Sequence, residues 1–171
     1  PTDPAIAFML GGNYAQQGVS DRALSLLEEA YGADSTNLTY ARALSAGYIE
    51  AGRMQDALHI NERLSEADPE DDDVRYRLIQ LYARTGELKK GIQLATELQK
   101  RFRPMPEAYG QLTKMKIQLL ALSKDSVAVG REYRAWAALY PEDRRPYYDW
   151  ILHLFQTGGA KEAEKQLASD V

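Results

Sequence analysis

The chain has no cysteine. Disulfides, thiolate metal sites and a cysteine nucleophile are therefore excluded. The compartment stays open between periplasm and cytoplasm, because a cysteine-free chain suits an oxidising space as well as the cytosol. Histidine is scarce: His59 and His153 are the only two, and neither has a ligand-type partner at i+4,. No apolar run approaches the roughly 18–20 residues that cross a bilayer. The longest, near Ile117–Leu122, is broken by Gln118 and followed by Ser123, Lys124 and Asp125. Charge of one sign is not in excess either: 21 Lys and Arg face 25 Asp and Glu, a net −4. A nucleic-acid surface needs a larger basic excess, so DNA and RNA are not expected partners. No phosphate loop, Gly-x-Ser-x-Gly elbow or dinucleotide fingerprint occurs,. The acidic run Glu66–Asp73 lacks the Asp-x-Asp-x-Asp-Gly pattern of a cation loop and reads as helix-capping acids,. Glu28 and Glu29 lie on a solvated helix face with no cleft to raise a pKa. We expect no catalysis, no cofactor and no metal. The chain starts at Pro1 rather than Met, which points to a processed protein or a piece of a longer one,.

What is present is an ordinary folded composition, 44% hydrophobic and 27% charged, over 171 residues,. It also repeats. Tyr14, Tyr48 and Tyr82 are 34 residues apart, and Gly18, Gly52 and Gly86 follow with the same step,. Ala23, Ala57 and Gly91, all small, keep that period. Each block reads as a helix ending near Gly, which supplies the positive φ of a tight turn. A second helix follows, whose small residue allows close helix approach. Leu24, Leu27, Ala30, Ala57, Leu58, Leu64, Leu94 and Leu98 fill the seam at helical spacing,. Clusters at Asp34–Asn37, Asp68–Asp73, Arg103–Pro106 and Pro141–Pro146 separate the blocks,.

The spacing resembles the tetratricopeptide repeat family, whose pattern sets an apolar residue, a small residue, Tyr, Gly, Ala, an aromatic, Ala and Pro within 34 residues. Leu10-Gly11, Tyr14, Gly18, Ala23, Leu27 and Ala30 match one repeat. Leu44-Ser45, Tyr48, Gly52, Ala57, Leu64 and Pro69 match a second, and Leu78, Tyr82, Gly86, Gly91 and Leu98 a third. Asn61 stands where an apolar or aromatic residue is usual, and Ile79 where a small one is. A further step of 34 from Gly86 lands on Leu120, while Gly158 and Ala163 fit the pattern with four residues to spare. Val129, Tyr133 and Pro141 already keep phase with the last unit. The insertion therefore precedes Lys124, most simply as one extra turn on a helix over about Glu107–Leu122. We expect an all-α fold, a right-handed solenoid of about ten antiparallel helices in five repeats at about 4–37, 38–71, 72–105, 106–143 and 144–171, forming one domain. Trp150 falls at a core position and Trp136 at a seam position, so both are expected to pack.

The resemblance implies that first helices line a concave groove. Positions left facing it include Phe8 and Gly12 in the first repeat, with Ala15 and Gln16. Arg42 and Ala46 follow in the second, with Ile49 and Glu50; Tyr76, Gln80 and Arg84 in the third, with Ala83. Lys114 stands in the fourth, with Gly110 and Ile117 in the same phase, and Tyr148 and Leu152 in the fifth, with Phe155. Gly12 and Ala46 leave room for a ligand backbone. Phe8, Tyr76 and Tyr148 supply aromatic area of the kind enriched at hot spots. Arg42, Arg84 and Lys114 give a mild positive bias. Family members that clamp chaperone C-termini use Lys, Asn and Arg where this chain has Phe8, Gly12, Ala43, Asp73 and Arg77; only Arg77 fits, so that function is not expected. The main expectation is an interaction scaffold with a protein or peptide partner. The alternative is a module of a bacterial envelope or exopolysaccharide secretion machine, binding a polysaccharide or a polymer-modifying enzyme. Homo-oligomerisation through exposed solenoid ends is a third reading.

Overall fold

A computed structural model describes residues 3–159 and 161 and contains, among them, nine α-helices and no strand. They are α1 (Pro4–Gln16), α2 (Ser20–Ala33), α3 (Leu38–Glu50), α4 (Met54–Ala67), α5 (Asp72–Thr85), α6 (Leu88–Arg101), α7 (Pro106–Leu122), α8 (Ser126–Leu139) and α9 (Arg145–Gln156). The second helix expected in the fifth repeat, with Ala163, lies outside the described residues.

Local chemistry sets the boundaries. Asp3 accepts from the Ala5 backbone N–H at 2.8 Å, and Pro4 opens α1, where a missing N–H costs nothing,. Asn37 caps α3 through the N–H groups of Thr39 and Tyr40. Asp71 caps α5, which carries Asp72 and Asp73 in its first turn,. Gly18, Gly52, Gly86 and Gly158, the glycines singled out by their spacing, all adopt positive φ, between +74° and +84°,. In the α7–α8 turn the same left-handed geometry is taken by Lys124, with φ 61°. The insertion sits where expected: α7 has 17 residues against 13 in α3.

The helices fall into two compact units, Pro1–Glu87 and Leu88–Val171. In the first, α1 through α5 pack in chain order, each on the next, and α1 also meets α3. Its core holds Ala7, Ala23, Leu27, Leu44, Ala57, Leu64, Val74 and Leu78, all nearly inaccessible. Asn61 is fully buried yet paired: its amide donates to Ser45 Oγ and to the Ala57 carbonyl at 2.7 Å,. Ile79, a large residue at a position usually small, is accommodated at 1% exposure. Two of the repeated tyrosines have matching surroundings. Tyr48 donates to Glu28 on α2, and Tyr82 donates to Glu62 on α4, both at 3.0 Å. Tyr14, on α1, instead accepts from Arg22 at 3.2 Å.

In the second unit α6 through α9 also pack in chain order. Ile117, Leu120, Val129, Tyr133, Trp136 and Trp150 form one cluster. Both tryptophans are core residues, as their positions suggest, and Trp136 is 1% exposed. Arg145, opening α9, pairs with Glu107 at the start of α7 at 2.7 Å and with Asp143 at 2.9 Å. These contacts fix where α9 enters.

Candidate functional site

The residues expected to face a ligand lie mostly on the surface, and they gather at separate places. In the first unit Phe8, Gly12 and Ala46 border one cleft of about 220 Å³, floored by Leu24 and Leu27 of α2. The Phe8 ring is held by Tyr40 of α3, 5.1 Å between centroids,. A Cβ on Gly12 would meet nothing within 4 Å, so the cleft is open there. Ala15, Ala43 and Glu50 line its sides. The geometry suits an apolar or small side chain between two first helices.

Arg42 differs from its expected role as a free cation. Its guanidinium is 2.5 Å from Asp71, the cap of α5. Burial pushes the Asp71 carboxyl up, but the Val74 backbone N–H and Arg42 together outweigh it and leave it below the ordinary carboxylate range,. Arg42 thus ties α3 to the start of α5. Along α5, Tyr76 is half-buried while Gln80 and Arg84 are exposed, one turn apart,. Burial, helped by Asp72, raises the Tyr76 hydroxyl above its ordinary value, so it stays a neutral donor.

In the second unit Lys114 and Leu152 meet in a cleft of about 220 Å³ between α7 and α9, with Asp149, His153, Gln156 and Tyr133. Lys114 pairs with Asp149 at 2.8 Å and lies 5.8 Å from the Trp136 ring centroid. Burial and then Asp149 push the Tyr133 hydroxyl up to about 12. Tyr148 and Leu152 are 64% and 55% exposed, on one face of α9 with Phe155. His153 packs near the Tyr133 ring, and His59 is exposed on α4.

Two expectations need correction. Gly110 and Ile117 do not face outward; both are buried. Trp136 leans on Gly110, where an added Cβ would stand 2.7 Å from the ring, and Ile117 joins the core cluster. The positive bias is also largely cancelled, because Arg42 and Lys114 are neutralised by Asp71 and Asp149. Asp71 caps α5 and Asp149 lies on α9, so neither is on the helix that carries its cation and single helix faces do not reveal them. Among the described residues no group of three metal-type side chains converges, and no helix is long and apolar enough to cross a membrane.

A family model described as tetratricopeptide repeat matches residues 48–114. No curated protein matches in sequence. Several solved structures share the fold. A tetratricopeptide repeat protein from Parabacteroides merdae ATCC 43184 is 19% identical, with a TM-score of 0.69 over 99% of this chain and 64% of its own. The MamA protein of Desulfovibrio magneticus RS-1 is 11% identical, with a TM-score of 0.67 over 97% of this chain and 92% of that one. MamA from strain MSR-1 is 16% identical, with a TM-score of 0.64 over 95% and 91%. Identities this low speak for the fold alone. Residues 48–114 thus match the tetratricopeptide repeat model, and the chain around them, with its 34-residue spacing of Tyr and Gly and its positive-φ turns, shares the fold of tetratricopeptide repeat structures.

Proposed function

We propose that the chain is a non-catalytic interaction scaffold that holds a partner polypeptide against its first helices, α1, α3 and α5 in one unit and α7 and α9 in the other. One observation carries this reading. The Phe8–Gly12–Ala46 cleft is open, apolar at its floor and walled by a ring already held in place by Tyr40. A rigid aromatic beside a small-residue gap accepts a side chain and its backbone at low ordering cost. Tyr76, Gln80 and Arg84 extend polar and aromatic contacts along α5, and Lys114, Tyr148 and Leu152 do so in the second unit.

Panning a random peptide library against the chain, followed by amide-shift mapping, tests this. Recovered peptides should perturb Gly12, Ala46 and Gln80, and A46E should weaken them about tenfold with the helical spectrum unchanged. Peptides indifferent to both A46E and L152E would refute the reading. A parallel glycan array addresses the polysaccharide alternative: glycans bound through the same residues, with no peptide recovered, would replace it. Self-association is a second reading, favoured by Ile6, Met9 and Leu10 standing 43–66% exposed on α1. Light scattering separates it, since M9E should then lower the mass.

A further inference from the structure

The seam of α6, α7 and α8 contains a polar pocket that the face described above does not use. Its volume is about 330 Å³. At its base Lys116 is 2.7 Å from Glu132, with side chains only 11% and 20% exposed. Lys116 also donates to Gln99 Oε1 at 3.2 Å. Gln99 Nε2 in turn donates to Thr113 Oγ1 at 2.8 Å and approaches Glu132 Oε2 at 3.4 Å. A buried ammonium held by two partners is a preorganised charge, since its rotamer freedom is already lost. At the rim stand Lys100 and Arg103, both exposed and without an ion-pair partner among the described residues.

We propose that this pocket is a second binding site, which takes the carboxylate of an acidic side chain carried by a partner polypeptide. Lys100, Arg103 and Lys116 against Glu132 give the lining a formal charge of +2, inside a chain whose net charge is −4. An incoming anion is therefore drawn to this patch. Glu132 repels it from the deepest point, so it seats between the two free cations, where the Arg103 fork makes a bidentate pair. Tyr109 stands beside them, its hydroxyl kept neutral by burial and so able to donate. The openness of the pocket decides the source of the carboxylate. Small-molecule sites enclose most of their ligand, whereas here Lys100 and Arg103 both lie in solvent. A side chain anchored by its own polypeptide needs no such enclosure. The pocket opens between the second helices α6 and α8, so it is independent of the first-helix face, and A46E and L152E leave it intact.

Titration of the full chain with end-blocked tetraglutamate at low salt tests the site. The amide shifts of the Gln99 side chain and of Thr113 should move, and added salt should weaken the complex. K100E/R103E alters only exposed side chains. It should keep the helical spectrum and weaken binding by about tenfold or more, while the charge-matched K89E/R131E should not. Four results would overturn the proposal: undiminished binding by K100E/R103E, equal loss in K89E/R131E, shifts confined to other surfaces, or no binding at all. Tetraglutamine binding as well as tetraglutamate would also refute it, and glutarate binding as tightly would make the pocket a small-molecule site instead.

Discussion

In the first unit the turns within helix pairs are made by Gly18 and Gly52, whereas in the second the α7–α8 turn is made by Lys124, whose φ of 61° carries a Cβ penalty that glycine escapes,. The seams differ in the same direction. A Cβ on Gly11 of α1 would stand 3.0 Å from Leu27 and 3.2 Å from the Ala23 carbonyl, while one on Gly110 of α7 would stand 2.7 Å from the indole of Trp136. The first unit is assembled from parts that recur from repeat to repeat, so any one can change a little. The second uses partners that fit only each other, and the same exchange made in both units should have unequal results.

The largest contrast is expected for glycine to alanine on the first helices. At Gly110 a Cβ would sit 2.7 Å from Trp136, which is 1% exposed and cannot swing away. G110A should cost about 1–3 kcal/mol through overpacking. At Gly12 a Cβ meets nothing within 4 Å, and G12A should gain up to about 1 kcal/mol from helix propensity. Urea unfolding followed by circular dichroism measures both, and equal effects would erase the distinction between the units. The turns provide the next test, with opposite signs. G52A forces a side chain into positive φ and should cost about 1 kcal/mol, and K124G removes one and should gain about 0.5–1 kcal/mol. A K124G variant less stable than the parent would mean that the lysine side chain contributes something at that turn.

These contrasts mark how far the sequence could be read. Period and turns were legible because each depends on residues inside one repeat or on its copy in the next. The length of α7 was legible because four extra residues make about one turn. The facing of α7 was not. Gly110 is covered by Trp136, a partner on another helix that the period of α7 does not contain. The charges of the site were misread for a similar reason. Arg42 and Lys114 look free on their own helices, but Asp71 arrives at the cap of α5 and Asp149 on α9. The network of Gln99, Thr113, Lys116 and Glu132 gathers side chains from three helices, and no helical period links them.

The last expected effect concerns how neighbouring repeats of the first unit are joined. Tyr48 donates to Glu28, and Arg53 both covers the Tyr48 ring at 4.4 Å and pairs with Glu28 at 2.8 Å. Tyr48→Phe keeps the ring under Arg53 and removes one hydrogen bond, a loss of about 1 kcal/mol. Burial first, then Glu28, pushes the Tyr48 hydroxyl up to about 12. Its unfolded value is about 10, so the folded state holds the proton more tightly. The stability from this difference is fully present below about pH 10 and disappears as pH rises through about 12,. Tyr133 in the second unit is raised to about 12 as well, by burial and Asp149. The urea midpoint should therefore fall between about pH 9 and pH 11 in the parent and fall less in Y48F and in Y133F, each removing its own share. Because Tyr48 has a specific acceptor and Tyr133 is raised mainly by burial, Glu28→Gln should reduce the slope only while Tyr48 is present. If E28Q acts equally in the Y48F background, the carboxylate influences the alkaline limb by some route other than the inter-repeat hydrogen bond.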